Sequence, residues 1–166
     1  MQSLRKLTDK IKTLDNLAWL EGVRAQGNLI VLTNGCFDLL HRGHIEYLHK
    51  AREIADYLIV AVNGDKSTSI LKGPNRPIVC EEDRLYSLAA LECVDAVIPF
   101  NEVLALKVFD KVSDSVSYYV KGGDYNEHTL NKEEYTILKK SGCTFVFIPF
   151  VKGHSTTTII NKIKEI

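Results

Sequence analysis

The chain has no excess of charge of either sign: 21 lysines and arginines balance 21 aspartates and glutamates over 166 residues. That leaves no bulk electrostatic attraction to nucleic acid or to an anionic membrane surface. No apolar run approaches the length of a membrane span. The opening residues Met1-Gln2-Ser3-Leu4-Arg5-Lys6 lack the continuous apolar core of a signal peptide. Cysteine is sparse and scattered, as Cys36, Cys80, Cys93 and Cys143, in neither a metal nor a redox spacing. The four read as free thiols, and a reducing cytoplasm is the expected location. Short-period repeats, low-complexity stretches and interdomain linkers are also missing. What remains is a chain that is 45% apolar and long enough to build one core of its own.

Within that chain, apolar runs alternate with helical patterns. Strands are expected near Leu29–Thr33, Tyr57–Val62, Ala96–Phe100, Tyr118–Val120 and Thr144–Ile148. Helices are expected near Gly43–Ile54, Glu81–Leu91, Glu102–Val112, Lys132–Lys140 and Ser155–Lys164, after a first helix capped by Asp15-Asn16 and ended by Gly27. Strands that are apolar throughout and separated by helices predict a parallel sheet covered on both faces. The fold class is therefore α/β: a Rossmann-like, doubly wound sheet of about five strands in a single domain. Residues 1–27 form an N-terminal helical segment and 28–166 the core.

The stretch His41-Arg42-Gly43-His44 follows the first apolar run and the corner Thr33-Asn34-Gly35-Cys36-Phe37-Asp38. A strand, a glycine-containing turn and a helix is how α/β proteins present free amides to a phosphate. Two imidazoles three residues apart project from one side of the first helical turn. A lone histidine at a helix start is most often a cap, and a pair at this spacing also makes half of a zinc site. No Cys-x-x-Cys or His-Glu-x-x-His pattern completes such a site. The combination of strand, turn, Asp38 and the glycine between the histidines points instead to a nucleotide site that activates a phosphoryl group. Asp38 reads as an organiser of the turn rather than a base, because its carboxylate would repel a triphosphate.

Asn34 to His44 resembles the GxFDxxHxGH signature of the cytidylyltransferase-like nucleotidyltransferases. More narrowly, Leu71-Lys72-Gly73-Pro74-Asn75-Arg76-Pro77, Val120-Lys121-Gly122-Gly123-Asp124-Tyr125, Ala61-Val62-Asn63-Gly64-Asp65 and Ser155-Thr156-Thr157 resemble the adenylyltransferases that act on D-glycero-β-D-manno-heptose 1-phosphate. The resemblance implies transfer of AMP from ATP, as its Mg²⁺ complex, to the anomeric phosphate, giving ADP-heptose and pyrophosphate. It assigns His41, His44 and Lys72 to catalysis. Nucleotide binding falls to Asn34, Gly35, Cys36, Phe37, Gly43, Lys121, Gly122, Asp124, Ser155 and Thr156, and the substrate phosphate to Arg76. Lys72 and Arg76 lie in a glycine- and proline-punctuated segment that reads as a lid. Arg84, on the next helix, either reaches the same anionic centre or pairs with a surface carboxylate.

The family often has a hydroxyl residue where this chain has Cys36, so only the backbone N–H is available there. Related glycerol-phosphate enzymes carry an arginine before the C-terminal serine, where this chain reads Phe150-Val151-Lys152. The expected partners are ATP and a sugar 1-phosphate, a second copy of the chain, and a separate kinase and phosphatase upstream; nucleic acid and membrane are not expected. A CTP-dependent enzyme acting on glycerol 3-phosphate or another polyol phosphate is the alternative within enzymes. A non-catalytic nucleotide-binding module is the alternative outside them.

Overall fold

Apolar and aromatic residues run through five short segments, and each becomes a strand of one parallel sheet: β1 (Ile30–Gly35), β2 (Tyr57–Asn63), β3 (Ala96–Phe100), β4 (Tyr118–Gly122) and β5 (Thr144–Ile148). The computed structural model describes residues 6–123, 125–149, 151 and 153–166. Strand order is β3-β2-β1-β4-β5, with every pairing parallel. Seven α-helices connect or follow the strands among the described residues: α1 (Ala18–Ala25), α2 (Arg42–Arg52), α3 (Asp65–Lys72), α4 (Glu81–Ala89), α5 (Leu106–Val112), α6 (Lys132–Lys140) and α7 (Thr156–Lys164).

The strand residues alternate between two cores, as a pleated sheet covered on both faces requires. Ile30, Leu32, Ile59, Ala61, Ile98 and Tyr119 pack with residues of α1, α5 and α6. Val31, Leu58, Val60, Val62, Val97 and Val120 pack with residues of α2 and α4. Complete burial of each such aliphatic side chain contributes about 1.5–3 kcal/mol of transfer free energy. The doubly wound architecture is the one the alternation of apolar strands and helices predicts.

Sheet growth reverses between β1 and β4. The chain steps outward through β2 to β3, then returns to place β4 on the other side of β1 and continues to β5. Crevices at such reversals, outside the carboxyl ends of the strands, are where open α/β sheets bind ligands. The segments after β1 and β4 therefore flank the expected binding position.

Three elements depart from the sequence reading. Helix α3 occupies Asp65–Lys72, so Lys72 ends a helix rather than sitting in a loop. Helix α5 starts at Leu106, not Glu102, because the Glu102 and Val103 carbonyls face the buried Asn63 amide instead of continuing a helix. Helix α1 begins at Ala18 with Leu17 at its N-cap position; Asn16 Oδ1 accepts from the Ala18 N–H at 3.1 Å. Gly27, at φ 79°, ends that helix as expected.

Candidate active site

The first turn of α2 is built around glycine and a wedge. Phe37 has a positive φ of 48°, a conformation that is strained for a bulky residue. It turns the phenyl ring inward, where it is buried. A Cβ on Gly35 would stand 3.1 Å from that ring, so a side chain two before Phe37 would push the ring from its place. The ring then meets His44, with centroids 5.3 Å apart, and sets the floor on which the histidine rests.

His41 is the N-cap of α2, in extended backbone, with its Nδ1 accepting from the His44 N–H at 3.4 Å. Because Nδ1 accepts, the proton of the neutral ring sits on Nε2, which is left to donate outward. The two rings stack at 3.8 Å between centroids. Burial, followed by the neighbouring His41, pushes the His44 pKa down to about 4, a drop the Leu39 backbone only partly offsets. His44 Nδ1 is itself buried without a partner of good hydrogen-bond geometry. His41 is lowered too, by burial first and then by His154. Both rings are held in the neutral form by their surroundings, and an arriving polyanion favours the charged form of each.

Asp38 carries the turn. It is 4% exposed, and its carboxylate accepts from Arg76 Nε and from the backbone N–H groups of Ile78 at 2.8 Å and Val79 at 2.9 Å. This is the organising role its position suggests, and it ties the segment after α3 to the segment before α2. Arg76 is thereby engaged by a buried carboxylate, with 17% of its side chain exposed. The second half of the expected lid is pinned down; the exposed part is Leu71, Lys72, Pro74 and Asn75.

Arg84 lies deeper than the sequence suggests, at 1% exposure. It donates to the carbonyls of Val79, Cys36 and Asn63 and to the Asp65 carboxylate. One guanidinium thus joins the ends of β1 and β2 to the starts of α3 and α4. The pairing with a half-exposed carboxylate, Asp65, was foreseeable. The three carbonyls were not, because they belong to distant segments.

Across the crevice, Lys121 Nζ donates to the Asn34 side-chain oxygen at 2.6 Å and to its backbone carbonyl at 3.3 Å. Tyr119 donates to the same Asn34 oxygen at 2.7 Å. Both bonds occupy the Asn34 side-chain oxygen, so its amide nitrogen is the group left to donate. Burial lowers the Lys121 pKa; the Glu134 carboxylate opposes this, and the charge of Lys72 adds a smaller lowering. Gly122 meets the Tyr47 ring, where a Cβ would stand 3.0 Å away. Tyr47 is fixed in turn by Thr33 and the Val120 carbonyl.

The start of α7 closes the arrangement. Ser155 caps the helix, accepting from the Thr158 N–H at 3.0 Å, and Thr156 is its first residue. A Cβ on Gly43 would stand 3.0 Å from His41 and 3.2 Å from the Cβ of His154. The starts of α2 and α7 therefore converge on Gly43. The structure brings together His41, Gly43, His44 and the segment of Ser155 and Thr156 on one side, and Asn34 and Lys121 on the other. Asp124 lies outside the described residues. The reading from sequence passed over His154; the signal was its position immediately before a capping serine.

The arrangement offers N–H donors and cations at the carboxyl end of a parallel sheet, with the buried Asp38 already paired. It suits binding and polarising a phosphoryl chain. Comparison with known proteins agrees. The "Bifunctional protein HldE" of Geobacter metallireducens is 44% identical over 156 residues, covering 93% of this chain and 31% of that protein. Its counterpart in Geotalea uraniireducens is 45% identical over 157 residues, with the same coverage. The chain thus spans about a third of the length of these curated relatives. The crystal structure of a lipopolysaccharide core biosynthesis protein from Thermoplasma volcanium GSS1 superposes with a TM-score of 0.59 at 28% identity, covering 77% of this chain and all of that one. Residues 32–162 match the Cytidylyltransferase-like family, and the chain belongs to that family of nucleotidyltransferases.

Proposed function

We propose that this enzyme transfers AMP from ATP to the anomeric phosphate of D-glycero-β-D-manno-heptose 1-phosphate, releasing pyrophosphate and ADP-heptose. The observation that carries the nucleotidyl-transfer part is the stacked pair His41–His44 on the first turn of α2, beside the reversal of the sheet. The narrower substrate reading rests on the Leu71–Pro77 and Val120–Tyr125 segments, which resemble the heptose enzymes. The similarity to a lipopolysaccharide core biosynthesis protein points the same way.

The attacking group is already a phosphate anion, so no general base is required. The difficulty is electrostatic: two polyanions must approach, and charge must move onto the departing pyrophosphate. The neutral His41 ring carries its proton on Nε2 and donates from there to the phosphates, and His44 gains a proton as the triphosphate settles beside it. Lys72, at the exposed end of α3, adds a mobile cation over the same chain. ATP enters as its Mg²⁺ complex. On this reading the phosphates and water supply the ion's ligands, with no protein side chain assigned to the metal. The sugar arrives phosphorylated by a separate kinase and trimmed by a phosphatase, in the cytoplasm where ATP is abundant.

A pyrophosphate-release panel crossing ATP, CTP and GTP with heptose 1-phosphate, glycerol 3-phosphate and hexose 1-phosphates tests the reading. ATP with the β-heptose should exceed CTP with glycerol 3-phosphate by about 100-fold in kcat/KM, the order that two or more lost polar contacts give. Equal or reversed rates would replace the heptose reading with the cytidylyl one. No turnover in any combination would favour a binding module.

A further inference from the structure

Three imidazoles, not two, gather at the start of α2. His154 comes from the opposite wall, on the segment before α7, and its Cβ lies 3.2 Å from where a Gly43 side chain would begin. Gly153, at φ 80°, and the bond from the His154 N–H to the Val151 carbonyl form a turn that delivers it there. We propose that His154 is a third donor to the polyphosphate of the nucleotide, meeting from the α7 side the anion that His41 and His44 meet from α2. The proposal rests on nucleotide binding at this site but not on which sugar is the acceptor.

Four observations carry it. Gly43 lies between His41 and His154, and a Cβ there would crowd both, so the glycine favours their close approach. The His154 side chain is exposed and makes no hydrogen bond among the described residues, so packing does not account for it. The nearby acid Glu46 is already bonded to Arg42 at 2.5 Å, which leaves that carboxylate chiefly engaged elsewhere. Finally, His154 stands close enough to His41 to lower the His41 pKa, after burial. An anion lying between the two rings would relieve that effect on His41 and draw on both as donors. The amides of Thr156 and Thr157 follow directly, at the open end of a capped helix, where an anion is also welcome.

The test is calorimetric titration of the full chain and of His154→Ala and His154→Gln with MgATP, inorganic triphosphate and adenosine. Removing one charge-assisted donor should weaken MgATP and inorganic triphosphate by a common factor of about 10, with adenosine unchanged. His154→Gln, which keeps an N–H donor, should recover part of that loss, and KM for ATP should move more than kcat. Triphosphate binding within twofold of wild type in His154→Ala would overturn the proposal, as would an equal loss in adenosine binding, which would mark a structural role. A wild-type chain that binds neither ATP nor triphosphate would overturn it together with the nucleotidyl-transfer reading. A chain that binds both but ignores heptose 1-phosphate would sink only the choice of sugar.

Discussion

Acid should loosen this fold through His44 before it protonates the carboxylates in bulk. An unfolded histidine titrates near 6.5, whereas His44 in its buried stack against His41 and Phe37 titrates at about 4. Between those values the unfolded chain binds more protons than the folded one. Stability is therefore fully present above about pH 6.5 and is lost progressively as pH falls through 4. The full difference amounts to ~3 kcal/mol, and the fraction lost between pH 7 and pH 5 is ~2 kcal/mol. Urea unfolding of wild type and His44→Gln at the two pH values isolates this contribution, because the carboxylates titrate alike in both proteins. His41 shifts in the same direction, so the variant keeps a smaller slope of the same sign. The difference between the two pH responses should be about 2 kcal/mol. Equal pH responses would mean that His44 charges freely in the folded state, and the account of a neutral, buried ring at the phosphate site would be wrong.

Two further outcomes follow from the same geometry. His44→Ala should lose 10²–10³ in kcat, or about 3–4 kcal/mol of transition-state stabilisation, while circular dichroism shows an intact fold; turnover within threefold of wild type would remove the ring from the mechanism. Asp38→Ala should cost roughly 3 kcal/mol in chemical denaturation, since it strands Arg76 and two amides, and hydrogen exchange at Ile78 and Val79 should rise; a loss below about 1 kcal/mol would show that the turn holds without its carboxylate.

The strands were legible because their signal is local: β3 and β5 fall on the expected residues, and the others differ by one or two at their ends. Helix α3 was not. Asp-Lys-Ser-Thr-Ser-Ile-Leu-Lys has few strong helix formers, and its N-cap Gly64 makes no side-chain bond. The helix holds because Ser67 and Thr68 are buried and bonded to Gly64 and Asn63, which is tertiary information. At the site, the histidine pair and the role of Asp38 could be read from spacing and charge. The commitment of Arg76 to Asp38 and the deep position of Arg84 could not. An arginine in a sequence does not announce whether its partner will be a ligand, a carboxylate 38 residues away or three backbone carbonyls.

The placement of Arg84 bears on how the nucleotide site comes into being. A guanidinium cannot be withdrawn from water until acceptors are ready for it, and here they come from Cys36, Asn63, Asp65 and Val79. The ends of two strands and the starts of two helices must therefore settle in concert. Any state in which Arg84 is withdrawn from water must already hold these four segments together. Burying one arginine thus also fixes the turn that leads into α2 relative to the starts of α3 and α4.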